Sequence, residues 1–141
     1  MSAIETAIKT WERDGIDLHT PIAESVVRDT LGRIGRPYSS DVVALYCATG
    51  GMEEGESDSH MWSLWSLERV VEENSRYQRP YILFADFLID SHLYCFKYES
   101  METSAVCVDY FDGEEPELVA RSVKEFFEAF VTDAAKLRMF E

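Results

Sequence analysis

Apolar residues recur at helical spacing near the start of the chain. Ile4, Ile8 and Trp11 fall on one helical face, and the series stops before Gly15. Glycine often ends a helix because it adopts left-handed backbone conformations without steric cost. The pattern therefore predicts a first helix over about residues 3–14.

Capping residues and glycines predict two further helices. Thr20 followed by Pro21 is typical of a helix start, with threonine as the cap and proline at the first helical position. Ser39 or Ser40 can cap a third helix, which the glycine pair at 50–51 should end. Most of this first part of the chain is therefore predicted to be helical.

The pattern then changes to short runs rich in aromatic and branched residues, which favour strands. The predicted strands are His60–Trp65, Tyr81–Phe87, His92–Tyr98 and Ala105–Phe111. A short helix, Ser66–Asn74, interrupts them, and a last helix runs from near Ser122 to about Leu137. The turn-forming residues at 112–116 are expected to end the sheet.

This order of elements predicts one α+β domain spanning residues 1–141. Short connections between successive strands favour antiparallel hairpins over parallel crossovers. We expect an antiparallel sheet of about four or more strands, with helices before and after it. A chain of 141 residues fits a single hydrophobic core.

The turn between the third and fourth predicted strands also predicts their register. A hairpin centred on Met101 makes three cross-strand pairs: Tyr94 with Val108, Cys95 with Cys107, and Phe96 with Val106. Tyr94, Phe96 and Tyr98 should then share one face of the sheet, and Leu93, Cys95 and Lys97 the other.

Two of the three cysteines face each other in this register. Facing thiols could form a disulfide or supply half of a metal site. A zinc site needs about four ligands. The sequence has no CxxC motif, and Cys47 lies far away in sequence on a predicted helix. We expect packed, reduced thiols, because cysteine is among the most buried residue types.

The chain carries a strong negative charge that changes the list of plausible partners. It has 27 acidic and 13 basic residues, and its net charge is −14. Such a field repels nucleic-acid phosphates and anionic lipid, so we expect no direct binding to nucleic acid or membrane. A basic partner protein is compatible with the charge. Solubility alone is the simpler explanation for most of it.

Sequence features also bear on location. The residues from Met1 to Glu5 lack a basic stretch followed by an apolar core, so no secretory signal is predicted. No apolar run is long enough to cross a bilayer. Together with an odd number of cysteines, these features predict a cytoplasmic protein with reduced thiols.

Two acidic clusters without a lysine or arginine are candidate partner-binding sites. They are either solvated loops or a face that speeds encounter with a basic protein. Exposed aromatic residues would have to anchor such a partner, and Trp65 and Tyr77 qualify only where they are not buried. The candidate partner-binding residues are Glu53, Glu54, Glu56, Asp58, Trp62, Asp112, Glu114 and Glu115.

One constellation suggests chemistry. Asp86, Asp90 and His92 lie close together in sequence around a strand turn, and could hold a divalent cation or share a proton. Turn chemistry explains the same residues, because aspartate side chains bond nearby backbone amides. The sequence lacks the nucleophile and phosphate-binding motifs of familiar enzymes. We expect no enzyme activity, no resident metal and no cofactor.

An ordered set of short motifs carries a family resemblance over about residues 20–135. The motifs are Arg36-Pro37-Tyr38, Leu45-Tyr46-Cys47-Ala48-Thr49-Gly50-Gly51, Trp65-Ser66-Leu67-Glu68, Phe84-Ala85-Asp86, His92-Leu93-Tyr94-Cys95-Phe96 and Val119-Ala120-Arg121-Ser122-Val123-Lys124-Glu125-Phe126. In this order they resemble the SUKH superfamily, the relatives of fungal Smi and Knr cell-wall regulators.

The resemblance implies an α+β fold and, in bacteria, an immunity protein that neutralises a toxin, often a nuclease. Our leading hypothesis is therefore a protein-binding module of the immunity type. The first alternative is a housekeeping interaction or scaffold module of the same fold, since fold alone does not fix the partner. The second is a metal-dependent binder or enzyme that uses Asp86, Asp90 and His92.

Overall fold

The protein is an α+β fold with one antiparallel sheet, seen in a computed structural model that describes residues 2–89 and 91–139. Its helices and strands, in chain order, are α1 (Ala3–Arg13), α2 (Glu24–Gly32), α3 (Ser40–Ala48), β1 (Trp62–Leu64), α4 (Leu67–Arg76), β2 (Ile82–Phe87), β3 (His92–Tyr98), β4 (Ser104–Asp109), β5 (Glu117–Ala120) and α5 (Val123–Thr132), followed by a 3₁₀ turn at Ala134–Leu137. The predicted fold class is confirmed.

The five strands pair in the order in which they occur in the chain, β1-β2-β3-β4-β5, and every pair is antiparallel. The predicted register of β3 against β4 is confirmed, with Phe96 opposite Val106 and Cys95 opposite Cys107. Hairpin geometry therefore decided this register, because a tight turn leaves a strand pair little freedom to slip.

The fifth strand was not predicted, and the expectation that residues 112–116 end the sheet is wrong. These residues form a hairpin loop, after which Glu117–Ala120 pairs with β4. A strand of four residues is too short to show a clear alternation of apolar and polar positions. The register shift between Val106 and Cys107 disturbs the pattern further.

Two predicted helix boundaries are also wrong. α2 begins at Glu24, not at Thr20-Pro21, because the preceding residues are extended and hydrogen-bonded to the glycine pair. His19 N donates to Gly51 O at 2.8 Å, and Gly50 N donates to His19 O at 3.0 Å. At the other end α5 stops at Thr132, and a separate 3₁₀ turn continues to Leu137.

The core is centred on the indole ring of Trp62, at the start of β1. This ring packs against Trp11 of α1 at 6.2 Å between centroids and against Phe130 of α5 at 5.1 Å. Phe84 and Tyr94 pack edge-on against the same ring from β2 and β3. One aromatic cluster therefore joins both terminal helices to the sheet, and each well-placed ring pair adds roughly 1 kcal/mol beyond its burial.

Polar contacts hold α4 against β2. The side chain of Asn74 pairs with both backbone groups of Leu83, accepting from N at 2.9 Å and donating to O at 2.8 Å. Arg36 donates to Asn74 Oδ1 and to the carbonyl oxygens of Asn74, Tyr77 and Tyr81. Burial lowers the pKa of this guanidinium. Among the described residues, no helix is long and apolar enough to cross a membrane.

The glycine pair yields a stability prediction. Gly51 has φ +97°, and a Cβ there would lie 2.6 Å from Ser66 Cα and closer still to the carbonyl oxygen of Trp65. Gly55 has a similar φ of +91° with no atom near its Cβ position. Both alanine substitutions incur left-handed strain, but only Gly51→Ala adds overlap with backbone. We expect Gly51→Ala to lower the free energy of unfolding by about 2 kcal/mol more than Gly55→Ala.

Urea unfolding of both variants, followed by tryptophan fluorescence, measures this difference. Equal losses of stability would show that position 51 requires glycine because of backbone strain, and not because residues 51 and 65 approach closely.

Candidate functional site

Antiparallel pairing brings three separate loops to one end of the sheet. Trp62 at the start of β1 lies opposite Phe87 at the end of β2, and Phe87 lies opposite His92 at the start of β3. β4 ends at the same end of the sheet, since Leu93 lies opposite Asp109. β5 starts there, with Glu117 opposite Val108. The loop before β1, the β2–β3 turn and the β4–β5 loop are therefore neighbours.

We call this area the hairpin-end surface and define it by residues 53–61, 88–89 and 110–116. It contains residues of both acidic clusters, and the sequence alone could not show that the two clusters lie at the same end of the sheet. Adjacent strands lie about 4.8 Å apart, so the outer loops are roughly 15–20 Å from each other. Sequence segments 53–61, 88–91 and 110–116 contain no lysine or arginine.

Exposed apolar side chains lie in the acidic loops and in the β2–β3 turn between them. Ile89 is 85 % exposed, and Met61, Leu88, Tyr110 and Phe111 are each at least one-third exposed. Backbone bonding joins the first two segments, because Leu88 N donates to Met61 O at 2.9 Å. The hairpin-end surface thus combines apolar side chains with carboxylates.

Several of these apolar residues have a left-handed backbone. Met61 has φ 64°, Leu88 and Ile89 each have φ 51°, and Phe111 has φ 59°. Two consecutive left-handed residues in a hairpin turn are usually Asn and Gly, and a β-branched residue there is strained. Strain of this kind costs on the order of 1–3 kcal/mol per residue and occurs most often at functional sites. For Leu88 and Ile89 the sequence signal was a pair of apolar residues between two predicted strands, whereas Met61 and Phe111 were predicted to lie within strands.

Asp58 and Trp62, proposed as partner contacts, are buried at 7 % and 0 % exposure, which corrects that prediction. Asp58 Oδ1 accepts hydrogen bonds from the backbone N of His60 at 2.8 Å and of Trp62 at 3.1 Å. Its Oδ2 accepts from Trp11 Nε1 at 3.1 Å. Burial raises the pKa of this carboxyl. Asp58 therefore shapes the loop that presents Met61, and Trp62 is the centre of the core.

Neither of the other two aromatic anchor candidates belongs to the hairpin-end surface, although Tyr77 packs against it. Trp65 is fully buried, and its Nε1 donates to Asp86 Oδ2 at 2.6 Å. Tyr77 is half-buried against the ring of Phe111, at 5.7 Å between centroids. Tryptophan at a strand start is a core signal as much as a surface one, and only packing against the helices distinguishes the two.

The remaining acidic candidates lie on or beside the hairpin-end surface. Glu53, Glu54, Asp112, Glu114 and Glu115 are exposed, and Glu56 is half-buried. Two of these residues also hold the first loop in place. Glu53 pairs with His19 Nε2 at 3.0 Å, and Glu56 Oε2 accepts from Asp17 N at 2.8 Å.

The two described residues of the proposed cation site, Asp86 and His92, do not converge. Asp86 lies opposite Leu93, so its side chain and that of His92 project from opposite faces of the sheet. Asp86 also contacts Arg69 Nη2 at 3.4 Å, whereas His92 stacks on Phe87 with centroids 4.9 Å apart. Burial lowers the pKa of His92. Asp90 lies outside the described residues.

No group of three or more histidine, cysteine or acidic side chains within residues 2–89 and 91–139 is arranged to hold a metal ion. The alternation of a strand explains the separation of Asp86 from His92. His92 lies opposite Phe87, the residue that follows Asp86, and successive residues of a strand project to opposite faces of the sheet.

Comparison with known proteins adds no assignment. A scan of the chain against protein-family models finds no match, and a search of curated proteins finds no significantly similar sequence. The resemblance to the SUKH superfamily therefore rests on the ordered motifs alone.

The strained turn gives a second stability prediction. We expect the double substitution Leu88→Asn, Ile89→Gly to raise the free energy of unfolding by about 1 kcal/mol, because Asn-Gly fits two left-handed positions without strain. Met101→Asn is the control, since Met101 is 80 % exposed in an ordinary turn conformation at the other end of the sheet. Chemical unfolding of the double variant and of the control measures their free energies of unfolding. A double variant less stable than the parent would contradict the strain argument.

The edge of the hairpin-end surface gives a pH prediction. Arg138 donates two hydrogen bonds of 2.8 Å to Glu117, which lowers the pKa of that carboxyl from 4.5 to about 2. A depressed folded-state pKa contributes stability above about pH 4.5, and that contribution is lost as the pH falls towards 2. The parent should therefore be more stable than Glu117→Gln at pH 7, and this difference in the free energy of unfolding should shrink as the pH falls from about 4.5 towards 2. The contribution is small, because the two side chains are 43 % and 40 % exposed to solvent.

Urea midpoints measured between pH 7 and pH 2 test the prediction. The control is Glu115→Gln, which removes an exposed carboxylate from the loop just before β5. A difference that stays constant from pH 7 to pH 2 would show that the ion pair does not depress the pKa of Glu117.

Proposed function

We propose that this chain is a protein-binding module of the immunity type, which binds a basic protein through the hairpin-end surface. The observation that carries the proposal is a strained turn that exposes Leu88 and Ile89 between two acidic loops. Strain in an exposed apolar turn lowers the stability of the free protein. A partner that covers these side chains offsets this cost, which supports a role in binding.

Charge gives the partner its chemistry. The net charge of −14 and the loops without lysine or arginine favour encounter with a positively charged protein. Electrostatic attraction of this kind raises the association rate and falls with ionic strength. Because the Debye length at physiological salt is about 8 Å, the two acidic loops act as separate contact points for the partner.

Size supports a single partner across both loops. A standard interface buries about 800 Å² on each protein, a patch wider than the roughly 15–20 Å between the outer loops. Apolar residues would lie in the centre of such a patch, with carboxylates such as Glu54 and Glu114 at its rim. This arrangement matches the usual anatomy of an interface, where desolvated anchors are surrounded by polar groups.

The immunity role rests on the ordered motifs together with the charge. The partner would then be a toxin with a basic domain, and the chain would occlude it or imitate the charge of a nucleic-acid substrate. A housekeeping interaction module of the same fold would use the same surface. The identity of neighbouring genes separates these two roles.

The experiment expresses the products of the adjacent genes alone and together with this chain. We expect one basic product to inhibit growth, and the chain to relieve the inhibition and to form a stable complex with it. Complex formation without toxicity would favour the housekeeping module. Failure of every adjacent product to bind would argue against the immunity role.

Binding kinetics of the purified pair test the surface itself. We expect Leu88→Asn, Ile89→Gly to weaken binding at least tenfold, mainly through faster dissociation, because it removes the apolar contacts. Glu54→Gln, Glu114→Gln should slow association and reduce its salt dependence. Met101→Asn, at the other end of the sheet, should leave both rates unchanged. A complex insensitive to both double variants would place the interface elsewhere.

A further inference from the structure

Two cysteine side chains face each other inside the sheet. Cys95 of β3 lies directly opposite Cys107 of β4, and both are buried. The Cys95 thiol donates to the carbonyl oxygen of Cys107, with sulfur and oxygen 3.6 Å apart. Residues directly opposite in an antiparallel pair have Cα atoms about 4.5–5.5 Å apart, within the range that a disulfide spans. A bond between the two sulfur atoms therefore requires little movement of the backbone.

The two thiols have different surroundings. The neighbouring Cys95 side chain lowers the pKa of the Cys107 thiol, and the nearby Lys97 ammonium acts in the same direction. Burial raises the pKa of Cys95. One sulfur is thus the better nucleophile, and the other remains protonated beside it, which is the arrangement of an attacking and a resolving cysteine.

Cys107 lies nearer the edge of the sheet than Cys95. It lies at the register shift of β4 and pairs with Leu118 of β5. β5 is a four-residue strand at the edge of the sheet, and Leu118 is itself exposed. Short edge strands open locally at low free-energy cost, which would admit a small oxidant to the Cys107 sulfur.

We propose that Cys95 and Cys107 are an oxidation site, at which hydrogen peroxide converts the two thiols into a reversible intramolecular disulfide. Cys107 first releases its thiol proton to solvent. The thiolate then attacks one peroxide oxygen, the O–O bond breaks, and the departing hydroxide takes up a proton from solvent to form water. The resulting sulfenic acid is attacked by the Cys95 sulfur. The S–O bond breaks, and the second hydroxide leaves as water with the Cys95 proton. The peroxide is reduced to two waters, and two electrons leave the thiols.

Alkylation and mass spectrometry test the site. The folded protein is treated with hydrogen peroxide, unfolded, and labelled with N-ethylmaleimide. We expect the oxidised chain to have lost two hydrogen atoms and to take one label, on Cys47. The reduced protein takes three labels. Peptide mapping should find a Cys95–Cys107 link that dithiothreitol removes.

Single substitutions provide the controls. Cys47→Ser should leave the oxidation unchanged, whereas Cys95→Ala and Cys107→Ala should abolish the loss of two hydrogen atoms. If an alanine variant does not fold, the label count and the peptide map of the unmodified chain decide the test. Three labels after peroxide, a stable Cys107 sulfinic acid without a link, or a disulfide through Cys47 would each overturn the proposal.

Discussion

Antiparallel pairing of five consecutive strands is the constraint on which the rest of this structure depends. Because each strand reverses the direction of the last, the connections alternate between the two ends of the sheet. Residues 53–61, the β2–β3 turn and residues 110–116 consequently meet at one end. The same pairing fixes the register that brings Cys95 opposite Cys107. The candidate surface and the thiol pair thus have one geometric origin.

The acidic residues of the chain divide into two physical roles. Asp58 and Asp86 are buried, and each accepts a hydrogen bond from an indole N–H. Asp109 likewise accepts from Tyr81 and Arg79 inside the fold. These carboxylates hold loops and strands in place, since a buried charge is tolerated only with bonding partners. The exposed carboxylates of the hairpin-end surface produce the external field.

Stability and presentation of the surface are in tension at the β2–β3 turn. The fold is stabilised by the aromatic cluster around Trp62, yet nearby Leu88 and Ile89 keep a backbone conformation that their side chains disfavour. Residues suited to the turn would make the isolated protein more stable. They would also remove the apolar contacts that the acidic loops surround, which is the usual trade-off between stability and function.

The sequence by itself determined the kinds of element, the α+β class and the register of the β3–β4 hairpin, because spacing, capping and tight turns act over a few residues. It also located the acidic clusters and the facing cysteines. Tertiary structure decided which candidates are exposed, burying Asp58 and Trp62 against α1 and placing Asp86 and His92 on opposite faces. It also decided that the two acidic loops are neighbours, because strand pairing across the whole sheet joins residues that no local pattern relates.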